Sequence, residues 1–577
     1  AGGMREQPVI QVAVRHEGNY EPNLMVSLST VCCGVEFTHL VRWYVRVSGL
    51  KGRQEITCDA PLAWGGVAQL RFSVEGIRKS PQDVMLLLRK RYKTGSSLEF
   101  LVRQLRQRTR IKGVGEALAA CGRRAKYPVV LVPGMCATGL EAWQSSHSGW
   151  HRSLVWVDPL KMGRTAAMQN LANAAATTDA GKHRVLMRHL LLEDGVRDPP
   201  GIKVRARRGL AGLDYLCDNP LAHKASYVFG PLIKELAAVG YDSSNLEAAT
   251  YDWRLPPAFM ESRDGYFTRL MLQIEGLSRT NGRPVVLLGH SMGGRVIQYF
   301  FRFMLDRPNG REWLEEHVHA FLALGVPFLG ASKSVRTVVT GDALGLELFI
   351  TGEEARTMSR QSASIPLIMP VASQLHYPDA IVRFRDAGST SYQTLPFPDL
   401  LDRVSPSTTR YTEQYHRVDP FLHGGLDNED PTQPILDAPP VRRLWNVFGV
   451  NLPTEVSYYF RTEGADKDKA TVLDAAASRF SEKRDADVNP LGLHIENGIA
   501  YETPRTYQRS SNQTRSGDGT VPYASLSYPN VWSERNPQLE YDHIEISGAE
   551  HREMLNDARV TYVVLTLLTS ASCQHHD

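Results

Sequence analysis

Residues Gly289-His-Ser-Met-Gly293 stand between the apolar run Pro284-Val-Val-Leu-Leu288 and a long amphipathic stretch that begins at Gly294. A serine hydroxyl is a weak nucleophile until a base takes its proton, and a sharp strand-to-helix turn lifts its oxygen clear of the backbone. Glycines two residues to either side of Ser291 leave room for that turn. The same chemistry needs an imidazole, and a carboxylate that fixes the imidazole's tautomer. Asp518, in Ser516-Gly-Asp-Gly-Thr-Val-Pro522, is the candidate acid, because its flanking glycines suit a tight turn that exposes a carboxylate at a strand end. The competing reading is a turn aspartate that caps its own backbone. His551 is the candidate base: it follows the expected last strand Ile544-Glu-Ile-Ser547 and the loop Gly548-Ala-Glu550, just ahead of a C-terminal helix. His543 and His494 are its rivals, but His543 is expected before that strand and His494 precedes Asp518. Acyl transfer also needs N–H donors aimed at the negative oxygen of its tetrahedral intermediate. The backbone N–H of Met135, in the loop Val132-Pro-Gly-Met135, and that of Met292, directly after the serine, are the expected pair.

The elements that must hold these groups are written in the apolar pattern. From Tyr127 onward, short runs at Val129–Val132, Ala248–Thr250, Val285–Leu288, Ala320–Leu324 and Trp445–Phe448 alternate with helical patterns. Runs that are apolar on both faces predict strands covered on both sides, as in a parallel α/β sheet. Combined with the chain order Ser, Asp, His, this makes the expected fold class α/β, an α/β-hydrolase fold over residues 127–577. Two stretches, about 143–197 and 337–440, interrupt the alternation and are expected to be cap or lid insertions. Residues 1–77 differ in texture. Period-two alternation at Val9–Val14, Val41–Val47 and Leu70–Val74 predicts half-buried antiparallel strands in a small β-rich N-terminal module. Residues 78–126 read as a basic helical connector, with Arg89-Lys90-Arg91, Arg103, Arg106, Arg108, Arg110 and Arg123-Arg124 among apolar residues. Such a segment either lies on an anionic bilayer or packs its apolar side on the next domain; the second is the commoner fate.

Composition narrows the classes. The balance of 66 basic and 62 acidic residues, a net charge of +4, gives no reason to expect nucleic acid as a partner. No apolar run approaches the roughly 20 residues a membrane helix requires. The sequence starts at Ala1 rather than methionine, which suggests that an upstream piece has been removed, and any signal, transit peptide or anchor in it is not visible here. Seven cysteines form neither zinc-finger spacing nor a dense disulfide framework, and the histidines show no ligand spacing, so no metal or cofactor is expected. Asn512-Gln-Thr514 is a glycosylation sequon that matters only inside a secretory lumen. Gly113-Val-Gly115 lacks the preceding strand and third glycine of a dinucleotide site.

Separated motifs add a further reading. They are Pro128-Val-Val-Leu-Val-Pro-Gly134 with Gly139-Leu-Glu141, Asp198-Pro-Pro-Gly-Ile-Lys-Val-Arg205, Tyr251-Asp-Trp-Arg-Leu255, Gly289–Gly293, Gly325-Val-Pro-Phe-Leu-Gly330 with Lys333, Gly449-Val-Asn-Leu-Pro-Thr-Glu455, Gly517–Pro522 and Glu550-His551. In this order they resemble the lecithin:cholesterol acyltransferase superfamily, most closely its phospholipid:diacylglycerol acyltransferase branch. The resemblance implies a triad of Ser291, Asp518 and His551, with Met135 and Met292 at the oxyanion hole. It implies a lid at about Val338 to Arg360, with Val338, Leu344 and Leu346 as its lipid contacts, and makes Asp252-Trp-Arg254 a structural ion pair that orients the loops. The implied reaction moves an acyl chain from a phospholipid donor through Ser291 to a diacylglycerol acceptor, giving triacylglycerol and lysophospholipid. Water as acceptor gives a phospholipase A, a sterol gives a sterol acyltransferase, and a non-catalytic lipid-binding protein is the alternative from another class. The implied setting is peripheral contact with a membrane, expected at the endoplasmic reticulum, or with a lipid-droplet surface. Two departures stand out. The first 120 residues carry no recognised counterpart of the family's motifs, and the family's cysteine-bounded tryptophan loop is replaced by Trp143–Trp156 without cysteines. Trp143, Trp150 and Trp156 are read either as contacts at the headgroup boundary or as the packing of the inserted loop.

Overall fold

The computed structural model describes residues 113–120, 122–158, 185–217, 226–342, 350–370, 382–395, 397–420, 422, 438–463, 470–503 and 515–571, together with the backbone of 10–15, 25–32, 35–38, 54–61 and 67–74. Two compact units divide the chain. One holds Ala1–Lys126, Lys234–Tyr241 and Asp557–Asp577; the other holds Tyr127–Ile233 and Asp242–Asn556.

Six strands form the main sheet of the larger unit: β1 (Val129–Val132), β2 (Leu246–Ala248), β3 (Val285–His290), β4 (Val318–Leu324), β5 (Arg443–Val450) and β6 (Glu540–Ser547). They lie in the order β2-β1-β3-β4-β5-β6, and every adjacent pair is parallel. All of β1 and β3 is buried, the signature of strands covered on both faces. One expected strand shifts. Ala248–Thr250 was the apolar run, but the pairing with Val129–Leu131 uses Leu246–Ala248, whose start was masked by the charge of Glu247. Helix α1 (Tyr266–Asn281) precedes β3 and ends at Gly282, whose left-handed backbone (φ 60°) turns its N–H back onto the carbonyls of Ser278 and Arg279. Helix α2 (Met292–Leu305) follows β3 and is buried along nearly its whole length.

Within the stretch expected as an insertion at 337–440, strands Val382–Arg385 and Gln393–Thr394 join a second, mixed sheet centred on Thr454–Glu463. Within 143–197, Ser153–Trp156 pairs with Leu140–Gln144, which also pairs with Lys203–Ala206. Both stretches therefore carry regular structure of their own.

In the other unit five strands form a sheet in the order 35–38, 25–32, 10–15, 67–74, 54–61. The expected pairing was antiparallel throughout, but 10–15 runs parallel to 67–74. The expected strand Val41–Val47 and most of the basic run lie outside the described residues. Helix Val114–Ala120 is described, and Arg123–Ala125 pairs antiparallel with Thr569–Ala571. No described helix is long and apolar enough to cross a membrane.

Candidate active site

Ser291 sits at the carboxyl end of β3 with φ 54° and ψ −130°, a strained backbone that few non-glycine residues adopt. Its N–H donates to Leu324 O at 3.0 Å, tying the turn to the end of β4. The glycines around it answer to close approach rather than flexibility. A Cβ on Gly293 would fall 2.2 Å from Val132 O, and one on Gly289 would fall 2.7 Å from Ile297 Cδ1. Helix α2 can start directly beneath the serine only because these side chains are missing.

The Ser291 hydroxyl donates to His551 Nε2 at 2.9 Å, and His551 Nδ1–H donates to Asp518 Oδ2 at 2.7 Å. Asp518 is fully buried and His551 is 8% exposed, whereas Ser291 is only partly buried. The other Asp518 oxygen accepts the N–H groups of Thr520 and Val521 at 3.0 and 2.8 Å, which leaves Oδ2 for the imidazole. One oxygen thus caps the turn while the other meets the imidazole. Asp518 does not follow directly on a strand. Its loop runs beside the end of β5, where Asn451 N–H donates to Ser516 O and Leu452 N–H to Gly517 O. His551 N–H donates to Asp518 O at 3.0 Å, joining the loop after β6 to the same turn. Burial alone would depress the His551 pKa, but the charge and hydrogen bond of Asp518 outweigh it and raise it above the ordinary imidazole value.

His290, one residue before the nucleophile, is buried and donates from Nε2 to His551 O at 2.9 Å. Its Nδ1 is buried without a hydrogen-bond partner among the described residues. Burial, reinforced by nearby His551, pushes its pKa down to about 3, so it is neutral at physiological pH and holds the backbone of His551. Nothing in the sequence alone marks His290, because a residue between glycine and serine in a short motif looks like filler.

The loop after β1 runs close over the serine. A Cβ on Gly134 would lie 2.9 Å from Ser291 Cβ and 3.4 Å from its Oγ. Ala137 N–H donates to Gly134 O at 3.3 Å, closing a turn with Met135 and Cys136 at its centre. Met292 is fully buried as the first residue of α2, and the Met135 side chain packs against the cluster of Val338, Ile365, Met369 and Leu401. Behind this loop Asp252 and Arg254 form a buried bidentate pair, Nε to Oδ1 at 2.8 Å and Nη2 to Oδ2 at 2.7 Å. Arg263 adds a third bond to Asp252 at 2.7 Å, and Arg254 Nη1 reaches His189 O at 3.0 Å. Although burial works against ionisation, Arg254 and Arg263 hold the Asp252 carboxyl well below the usual carboxylate range.

The remaining expected contacts scatter. Val338 is buried in helix Lys333–Val339, and Leu344 and Leu346 lie outside the described residues. Trp143 is 47% exposed beneath the Arg152 guanidinium, 5.0 Å from the ring centre. Trp150 and Trp156 are 6% and 1% exposed, so the expectation of lipid contact is corrected to packing for these two; Trp150 stacks on His189 at 4.5 Å. His543 lies within β6 rather than before it, bonded to Tyr541 and Glu545, and His494 is on strand His494–Glu496. Cys136 is a free thiol.

A parallel α/β sheet whose strand ends bring a serine, a histidine and an aspartate into one hydrogen-bonded relay defines a protein equipped for acyl chemistry. Residues 151–558 match the lecithin:cholesterol acyltransferase family, and the chain belongs to it. It is 26% identical over 518 residues to the phospholipid:diacylglycerol acyltransferase of Saccharomyces cerevisiae, covering 77% of this chain and 70% of that one. The Schizosaccharomyces pombe protein of the same name is 25% identical over 509 residues, covering 77% and 73%. A phospholipid–sterol O-acyltransferase of Arabidopsis thaliana is 24% identical over 522 residues, covering 77% of each chain.

Proposed function

We propose that the chain is an O-acyltransferase that moves a fatty acyl group from a glycerophospholipid to diacylglycerol, with Ser291 as nucleophile, His551 as base and Asp518 as its orienting acid. The observation that carries this is the continuous relay Ser291 Oγ, His551 Nε2, His551 Nδ1, Asp518 Oδ2 at 2.9 and 2.7 Å. His551 takes the serine proton as Oγ attacks the donor ester carbonyl, then returns it to the leaving lysophospholipid oxygen. In the second half the acceptor hydroxyl gives its proton to His551 and attacks the acyl-serine, and His551 reprotonates Ser291 Oγ. The N–H groups of Met135 and Met292 receive the negative oxygen of each tetrahedral intermediate, a reading supported by the approach of Gly134 to Ser291. Membership of the family and the names of the two yeast relatives favour diacylglycerol as acceptor.

The scaffold is read as an α/β-hydrolase fold over 127–577 with cap or lid insertions at about 143–197 and 337–440. A β-rich module (1–77) and a basic connector (78–126) precede it. Trp143, exposed beside Arg152, supports peripheral contact with a membrane, and the endoplasmic reticulum is the proposed site.

The test supplies purified protein with a phospholipid labelled in one acyl chain, with and without diacylglycerol. Labelled triacylglycerol that depends on diacylglycerol and vanishes in Ser291→Ala is the expected result, with a loss of about 10⁶-fold for the variant. Free fatty acid alone at every diacylglycerol concentration makes the protein a phospholipase, and equal turnover by wild type and Ser291→Ala removes the serine mechanism.

A further inference from the structure

The loop Pro133–Thr138 offers three backbone carbonyls to three buried aromatic side chains. Tyr251 Oη donates to Pro133 O at 2.6 Å, Trp156 Nε1 to Cys136 O at 2.8 Å, and Trp253 Nε1 to Thr138 O at 3.2 Å. All three side chains are at most 2% exposed, and the indoles of Trp156 and Trp253 lie against each other with ring centres 5.4 Å apart. Hydrogen bonds this deep are costly to leave unmade, so each fixes both its donor and the peptide that accepts. The middle one matters most for strain. Cys136 has φ 58°, a left-handed backbone that favours glycine, and its carbonyl is the one Trp156 holds.

We infer that Tyr251, Trp156 and Trp253 are positioning residues for acyl transfer, holding the Gly134–Cys136 turn so that the Met135 N–H stays aimed at the oxygen of the tetrahedral intermediate. This rests on the proposed oxyanion role of Met135. The geometry makes the aim depend on the carbonyls. In a planar peptide C=O and N–H point in opposite directions. Gly134 O is turned inward to Ala137 N–H, so the Met135 N–H of the same peptide is turned out of the turn. Pro133 O, in the peptide before it, is pinned by Tyr251, and Cys136 O, two peptides after it, is pinned by Trp156. The motif Tyr251-Asp-Trp-Arg254 thus alternates two tasks. Its odd positions grip the loop, while its even positions lock the motif itself through the Asp252–Arg254 pair.

The test compares Tyr251→Phe and Trp156→Phe with Tyr241→Phe. Tyr241 Oη also donates to a buried carbonyl, Leu568 O at 3.0 Å, so its loss is the same deletion in the other unit. For each protein kcat and KM on an ester substrate, the melting temperature, and affinity for a lipid trifluoromethyl ketone are measured. That ketone captures the serine as a tetrahedral adduct whose oxygen occupies the oxyanion position. A misaligned donor loses rate at the transition state rather than in substrate binding. Tyr251→Phe and Trp156→Phe are therefore expected to lower kcat about tenfold or more with KM within about twofold, and to weaken ketone binding by a similar factor. Tyr241→Phe is expected to change only the melting temperature. Unchanged kcat and ketone affinity in folded Tyr251→Phe and Trp156→Phe overturns the inference, as does a kcat loss equal to that of Tyr241→Phe. If wild type binds the ketone no more tightly than Ser291→Ala does, the serine and oxyanion reading has failed, which is a different result from failure of the positioning inference alone.

Discussion

His551 is buried between the Ser291 hydroxyl, which it deprotonates in the proposed mechanism, and a carboxylate that favours its charged form. Asp518 wins against burial, so the folded-state pKa lies above the ordinary imidazole value. Only neutral His551 can accept the serine proton, so kcat/KM is expected to fall on the acid side of a pKa above about 6.5. A pH–rate profile checks this, and Asp518→Asn should move the acid limb downward while lowering the plateau by about 10⁴-fold. His290 has the opposite sign. Its folded pKa is depressed to about 3, so between about 6.5 and 3 the unfolded chain binds a proton that the folded chain refuses. Its contribution is present above the unfolded value and is lost as pH falls through that window. Relative to wild type, His290→Asn should lose this acid sensitivity, worth up to about 1.4 kcal/mol per pH unit in denaturant titrations. That Ser291, Asp518 and His551 come together was legible from type and order, because each stands in a distinctive turn. Side-chain bonds to a backbone carbonyl, such as those of His290 and Tyr251, leave no pattern in one sequence, since the accepting residue can be of any type.

At the scale of elements, the site is built from strand ends and missing side chains. Gly134 lets the loop after β1 pass over Ser291, and a methyl there would meet Ser291 Cβ at 2.9 Å. Gly134→Ala is expected to fold and to lose about 100-fold in kcat because the loop must back away from the serine; kinetics alongside circular dichroism checks both halves. The strands themselves were readable, since β1, β3, β4 and β5 each contain a run that is apolar without alternation. Edge strand β2 was less so. With Glu247 in its middle it lacks a continuous apolar core, and its register is set by pairing with β1 rather than by its own residues. The tryptophans of the 143–156 stretch were ambiguous for a related reason: indole suits both a bilayer boundary and a core, and only the fold assigns Trp150 and Trp156 to the interior while leaving Trp143 outside.

Across the molecule, residues distant in sequence are tied by a buried ion network. Asp252 takes Arg254 and Arg263, Arg254 reaches the carbonyls of His189 and Leu190, and Asp198 binds Arg205. Removing one partner strands a buried charge, so Arg254→Met is expected to destabilise the larger unit by about 3–5 kcal/mol. The double variant Asp252→Asn with Arg254→Met should lose less than the sum of the two single changes, which thermal or urea unfolding of all four proteins would reveal. The same rigidity bears on product choice. Relay and loop are held ready by protein groups alone, through the Tyr251, Trp156 and Asp518 hydrogen bonds. A catalyst that does not wait for the second alcohol to assemble it cannot reject water by staying switched off. In the proposed mechanism ester synthesis and hydrolysis then become a race on the acylated serine, decided by which hydroxyl arrives within the adduct's lifetime. The ratio of the two products should therefore track acceptor concentration, while total acyl release from the donor stays constant wherever acylation is the slow step.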